Sequence, residues 1–353
     1  MPEFNPEMLV VARESRDYSQ TDFAKLVRIQ QGTLSKIESG ILPPSEDLVR
    51  TFAEAVGYST DLFYQSERAY GFNSTVYFHR KRQSLSEKTL RRLHAQMNLT
   101  RMRIARLLRS VEGSPCKFHR IDPAEYDGRP DIVAQLVKST WLIPMGPVRS
   151  VTRAIEDAGG VVVHFDFGSR HADAISEWVP GYPPIFLVNS SADITGDRLR
   201  LTLAHEIGHA VMHRIPSPQM EEEANTFASE FLMPRKEIKA ALYRLNIPKL
   251  IQLKSEWSVS MAALIQRAYE LKTITEAQRR YLFIHMSRNG WRIREPVDTD
   301  VPIEKPDLFP RILQTHLGEL GYSVRELSTL MFVRDEDDFR SEYLSPRGLR
   351  LVG

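Results

Sequence analysis

The chain has 353 residues, enough for two or three domains, and 47 Lys and Arg stand against 45 Asp and Glu. The formal net charge is therefore only +2, so any contact with nucleic acid has to come from a local patch. The single cysteine, Cys116, excludes an internal disulfide. No apolar run nears the roughly 20 residues of a spanning helix, and the opening MPEFNPEM lacks the apolar core of a signal peptide. A cytoplasmic protein without membrane contact is expected.

Residues 7–64 read as short helices, with apolar residues at helical spacing: Leu9, Val10 and Ala12, then Phe23, Ala24 and Val27, then Leu34 and Ile37, then Phe52, Ala53 and Val56. Ser19 or Thr21 can cap the second helix and Ser45 the fourth. The stretch SQTDFAKLVRIQQGTLSKIESG resembles the Xre/Cro-type helix-turn-helix, with its second helix over residues 31–39, stopped by Gly40. In such a domain the start of that helix meets base edges. Gln30, Gln31, Thr33, Ser35 and Lys36 stand there; Gln suits adenine, and Lys suits guanine or phosphate. Arg13, Arg16 and Arg28 are candidates for holding the DNA backbone. DNA is the implied partner, and a homodimer is the usual way to widen a single domain's footprint.

Residues 70–78 (YGFNSTVYF) look extended, and residues 86–111 regain the helical period through Leu90, Leu93, Met97, Met102, Ile104 and Leu107. Arg80, Lys81, Arg82, Lys88, Arg91, Arg92, Arg101, Arg103, Arg106 and Arg109 face only Glu87 in charge. Such a stripe either follows phosphates or an acidic partner, or is a solvated face. Residues 112–123 (EGSPCKFHRIDP) break the helix.

Two helices are expected next, over residues 131–141 and 148–158, then strands at 161–165, 174–178 and 185–188, then a helix over 197–211. Asp193 or Thr195 is the candidate cap of that helix. An edge strand of such a sheet can take an extended substrate by β-augmentation, and residues 174–178 or 185–189 are the candidates. The helix carries His205-Glu206-Ile207-Gly208-His209, an HExxH pattern. Residues four apart share a helical face, so His205 and His209 can point two imidazoles at one metal ion, with Glu206 placed to take a proton from water. A third ligand is sought among Glu221, Glu222 and Glu223, which lead an apolar-periodic run. Glu221 has Ala224, Phe227 and Ala228 near its face; Glu223 is the alternative, and Glu222, with Thr226 one turn on, looks solvated. Asn225 can brace a ligand histidine. His213, one turn past His209, is a candidate transition-state donor, an orienting group or a core histidine.

TLAHEIGHAVMH followed by EEEANTFASEFLMP resembles the ImmA/IrrE family of zinc metallopeptidases, whose motifs have the form HExGHxxxH and ExxANxFAxxLLMP. Here they stand at residues 205–213 and 221–234, with Phe231 in place of a leucine, which removes no ligand. The resemblance implies Zn2+ held by His205, His209 and Glu221, with Glu206 as general base. It further implies a protein substrate, a transcriptional repressor, whose cleavage controls stress-response or mobile-element genes. The alternative is a transcriptional regulator whose peptidase-like domain serves as a ligand or signal sensor.

Residues 246–288 resemble the helix-turn-helix-shaped segment that follows the family's core, with a packing role expected. Residues 290–310 look irregular; amphipathic helices at 313–320 and 324–332 are left to cap the peptidase, form a dimer surface or sense a signal. The expected fold is mainly α with a small β-sheet (α+β): a helix-turn-helix bundle (1–66), a basic linker helix (67–123), a zincin-like core (124–245), a helical subdomain (246–288) and a C-terminal helical region (289–353).

Overall fold

The computed structural model describes residues 3–70, 85–111, 116–190, 194–215, 217–296 and 300–344. Apart from Tyr70, the extended segment expected at 70–78 lies outside these residues, as do Arg80, Lys81, Arg82, residues 112–115 and the candidate cap Asp193. The described chain is mainly α with one small sheet and groups into two compact units. No helix among the described residues is long and apolar enough to cross a membrane.

The first unit begins with α1 (Pro6–Ser15), α2 (Gln20–Leu26), α3 (Gln31–Glu38) and α4 (Glu46–Val56). Local chemistry sets their ends. Asn5, Ser19 and Ser45 each accept a backbone N–H of the first turn, and α4 stops at Gly57, whose φ of 69° suits a residue without Cβ. Met8, Leu9, Phe23, Leu34, Ile37 and Phe52 form the interior, together with Ala95, Leu99 and Met102 of α5 (Glu87–Leu107). The helix marked in sequence as a basic linker is thus part of this core. Its arginines divide: Arg91 and Arg109 stay exposed, while Arg101 and Arg103 are buried with hydrogen-bonded heads. Arg101 donates to Asn98 Oδ1 (2.6 Å) and to the Arg68 carbonyl (3.1 Å); Arg103 donates to the Met331 carbonyl (2.9 Å). Long apolar stems with hydrogen-bonded guanidinium tips make such burial tolerable.

Helices Leu308–Gly318 and Val324–Leu330 belong to the same unit. Ile312, Leu313, Leu327 and Met331 pack on Leu107, and Ser59 N–H donates to the Phe332 carbonyl at 3.1 Å. One of the arginines expected to hold a DNA backbone turns inward, and a second is tied to the bundle while staying exposed. Arg13 is buried and forks onto Glu38 (2.6 and 3.1 Å), and Arg16 donates to the Val56 carbonyl while lying over the Tyr58 ring. Both side chains close the bundle. Arg28 remains exposed.

The second unit holds α6 (Pro130–Thr140), α7 (Val151–Asp157), β1 (Val161–Phe165), β2 (Ala174–Glu177), β3 (Ile185–Asn189), α8 (Gly196–Met212), α9 (Met220–Leu232), α10 (Ile247–Trp257), α11 (Met261–Glu270) and α12 (Glu276–Arg288). The sheet order is β1-β3-β2, with β1 parallel to β3 (Val161 opposite Ile185) and β2 antiparallel to it (Ser176 opposite Phe186). β3 is buried along its whole length and paired on both sides. It offers no edge, so of the two candidate substrate strands only β2 stands at a margin of the sheet. Residues 295–307 pin the helices from outside. Glu304 accepts from the N–H groups of Val151 (3.1 Å) and Thr152 (2.6 Å), and Glu295 from those of Met261 (3.0 Å) and Ala262 (3.2 Å). Each carboxylate thereby sits at the positive end of a helix. Gly196 opens α8 against the carbonyls of Val301 and Pro302, where a Cβ has no room.

Candidate metal centre

The motif helix α8 is buried almost throughout, and it packs on α9 through a glycine. A Cβ on Gly208 would lie 3.2 Å from the Phe227 ring and 3.3 Å from Ala224 Cα, so a larger residue would push the helices apart. That close approach places the first turn of α9 beside the histidines of α8.

His205, His209 and Glu221 form a group whose ligand-type atoms lie within 4.8 Å of one another. The two Nε2 atoms face each other at 2.9 Å, and Glu221 oxygens stand 3.7 Å from His205 Nε2 and 3.5 Å from His209 Nε2. Glu223, the alternative ligand in sequence, turns away to His213 (Oε2 to Nε2, 2.9 Å), and Glu222 is exposed.

The hydrogen bonds behind the imidazoles fix which nitrogen carries the proton. Asn225 Oδ1 lies 2.9 Å from His205 Nδ1 and can only accept, so the proton of His205 sits on Nδ1 and Nε2 is bare. The Glu223 carboxylate likewise takes the N–H of His213 Nε2. In neutral His213 with its proton on Nε2 toward Glu223, Nδ1 is a lone pair; burial, which lowers its pKa from the ordinary 6.5 against the pull of Glu223, favours that neutral form. His209 Nδ1, 2.9 Å from that lone pair, must donate, which leaves His209 Nε2 bare as well. Two lone pairs and a carboxylate then converge on one point. Without a cation they repel; with one they are its ligands. For tetrahedral zinc with arms of about 2.0–2.1 Å the ligand–ligand edges are roughly 3.3–3.4 Å, and the observed separations of 2.9, 3.5 and 3.7 Å bracket that value. The donor set fits a metal ion.

Residues 155–269 match the model of the IrrE N-terminal-like domain, a peptidase family, and residues 11–63 match that of a helix-turn-helix. The chain thus carries a stretch similar to a helix-turn-helix and, after it, one similar to the IrrE N-terminal-like domain. No curated protein and no solved structure gives a match. The IrrE-like match runs from Ile155 in α7 to Tyr269 in α11, so it contains the sheet, the metal-type group and its hydrogen-bonded surroundings.

Around that group, Glu206 is buried and its Oε2 accepts from Ser176 Oγ at 2.6 Å. Ser176 lies on β2, whose sequence signal is only a short alternating strand; no spacing rule relates it to Glu206. Arg120 donates to the carbonyls of His213 (2.9 Å) and Trp178 (3.2 Å), joining the end of α8 to the end of β2. Burial first, and then the like charge of Arg214, lower its pKa to about 10. Both ring nitrogens of His213 are engaged, Nδ1 with His209 and Nε2 with Glu223.

In the helix-turn-helix domain Gln30, Gln31 and Lys36 are exposed, with Thr33 and Ser35 half-buried beside them. Gln31 Nε2 donates to Gln20 Oε1 (2.9 Å), and Gln20 Nε2 donates to Glu38 Oε2 (2.6 Å), which also holds Arg13. This chain of bonds steadies the first residue of α3. Sequence spacing shows the exposed face but not this support.

Proposed function

We propose that the protein is a DNA-associated zinc endopeptidase that cuts a protein substrate. By its resemblance to the ImmA/IrrE family that substrate is a transcriptional repressor, and its cleavage controls stress-response or mobile-element genes. The reading rests on one observation above the others: the Nε2 atoms of His205 and His209 converge with the Glu221 carboxylate. These three side chains would hold Zn2+. Zinc bound there supplies a Lewis acid that makes water nucleophilic near neutral pH.

The remaining work falls to the chain. Glu206 takes a proton from the attacking water and returns it to the leaving amine. Ser176 steadies the Glu206 carboxylate through its Oε2, leaving Oε1 for that proton. Asn225, His213 and Glu223 keep both ligand imidazoles in the tautomer a metal needs. An extended substrate would pair along β2, the strand that carries Ser176. Gln30, Gln31, Thr33, Ser35 and Lys36 would meet DNA, and the tether would raise the concentration of peptidase near repressors bound there.

The test compares the full chain with Glu206→Gln, which keeps the shape of the side chain and removes its basicity. Metal content is measured on both, and new protein N-termini are counted in cells producing each. We expect one zinc per chain in both, and new termini only with the natural sequence. The loss in turnover should be about 10²–10⁴-fold, the usual contribution of a general base. Identical termini in the two strains would end the hydrolase reading and favour a sensor domain.

A further inference from the structure

The second unit carries another charged feature, beyond the IrrE-like stretch and remote in sequence from the metal-type group. A groove of about 660 Å³ runs beside α12, floored by Phe283 and Ile284 and rimmed by Arg279, Arg280, Arg288 and Arg292. Arg279 is committed: it pairs with Glu276 at 3.0 Å, donates to Gln266 Oε1 at 2.9 Å and lies over the Tyr269 ring. Arg280, Arg288 and Arg292 are exposed and have no carboxylate partner among the described residues. Arg292 is held in place instead by stacking on Phe283, 4.7 Å from the ring centroid.

Three left open along one groove, in a chain whose formal charge is only +2, concentrate positive potential there. Arg280 and Arg288 stand two turns apart on α12, a rise of about 12 Å. That equals three to four nucleotide steps of one duplex strand at roughly 3.4 Å each. Guanidiniums suit phosphate oxygens, which they meet with two parallel N–H bonds.

We propose that this groove binds the phosphate backbone of duplex DNA, as a second, sequence-independent contact beside the helix-turn-helix domain. The proposal rests on the DNA-binding part of the reading above and is independent of hydrolysis. A single helix-turn-helix has a small footprint, and a tethered second contact strengthens binding without adding sequence preference.

The experiment uses the full chain and a fluorescent duplex of arbitrary sequence, with affinity measured across a salt series. Three proteins are compared: the natural sequence, the triple variant Arg280→Gln/Arg288→Gln/Arg292→Gln, and its counterpart with Lys at the same positions. Loss of three phosphate contacts should reduce the slope of log affinity against log salt by about 2–3. The Lys variant should keep most of the slope. Thermal unfolding checks that these exposed changes leave the fold intact. A fourth protein, Gln31→Ala/Lys36→Ala, separates the two readings. If it abolishes all binding while the triple Gln variant keeps the natural slope, the groove proposal is wrong and the helix-turn-helix reading stands. If no protein in the set binds duplex, both fail. A triple Gln variant with an unchanged slope but slower cutting of a protein would assign the groove to an acidic protein surface and overturn the proposal.

Discussion

In the helix-turn-helix domain the side chains proposed to meet DNA, Gln31 and Lys36 among them, are exposed, and Gln31 is supported by Gln20 near the surface. In the IrrE-like domain His205, Glu206 and His209 are buried, and so is His213, which supports one of them. A reader of DNA needs side chains that water releases easily, since the duplex replaces the water. A metal centre needs ligands that cannot turn away, and burial with fixed hydrogen bonds provides that. Both arrays are orienting chains of polar groups; they differ in how much of each is removed from solvent. Deleting a supporting group should therefore be costly in the second unit and cheap in the first.

The largest effect is expected where an ion network is fully enclosed beside α8. Lys254 donates to Asp197 and to Glu295 (2.8 Å), and all three side chains are buried or nearly so. Burial raises the Asp197 carboxyl, but hydrogen bonds from Lys254 and Thr195, the Lys254 charge and the Arg198 N–H outweigh it and hold its pKa below the ordinary 3.8. Burial alone would lower Lys254; its two carboxylate partners outweigh that and raise it above 10.5. Lys254→Met leaves two carboxylates enclosed without a cation, and should cost about 3–5 kcal/mol in unfolding free energy. The sign with pH follows from the shifts. The depressed Asp197 contributes stability above its unfolded pKa and loses it as pH falls through the lower folded value. The raised Lys254 contributes below 10.5 and loses that as pH climbs through its folded value. Denaturant titrations should show the gap between natural and variant protein widest near neutral pH and closing in acid. A gap of equal size at every pH would mean that the variant lost packing, not charge pairing.

The second effect is smaller and sits behind a ligand. His213→Ala removes the acceptor for the His209 Nδ1 proton, so His209 can turn or change tautomer. Metal affinity, read by competition with a chelator, should fall about 10–100-fold. Glu223→Gln should fall less, since an amide oxygen still accepts the His213 N–H. If His213→Ala binds metal as tightly as the natural chain, the tautomer argument fails and His213 is a core residue only.

The same contrast explains what the sequence revealed and what it hid. Helical spacing alone relates His205 to His209, and a carboxylate-led second helix placed Glu221 near them, because α-helical geometry is local and regular. Helix limits were readable for the same reason: Ser19, Ser45 and Gly57 act through their own backbone neighbours. Ser176 was not readable, because its tie to Glu206 spans thirty residues and depends on how β2 lies on α8. The inward turn of Arg13, Arg101 and Arg103 was hidden too. An arginine's letter carries charge, while its burial is decided by carbonyls and carboxylates far along the chain, such as Met331 for Arg103. The C-terminal helices followed that pattern: their amphipathic faces were plain, but nothing local named Leu107 as their partner.

The smallest effect should come from the exposed support in the DNA reader. Gln20→Ala leaves Gln31 in place and removes the bond that aims it together with the Gln20 bond to Glu38; Glu38 keeps its fork from Arg13, so the bundle stays closed. A hydrogen bond contributes about 0.5–1.5 kcal/mol net, and an exposed one lies at the low end, because water replaces the partner. Affinity for a specific operator should fall only about two- to fivefold, measured once that operator has been selected from a random duplex pool. The slope against salt should not change, since no phosphate contact is lost. A loss of a hundredfold or more would show that Gln20 itself reads a base or that α3 shifts without it. In either case the support would carry as much weight here as His213 does behind His209, and the contrast between a wet and a dry scaffold would fail.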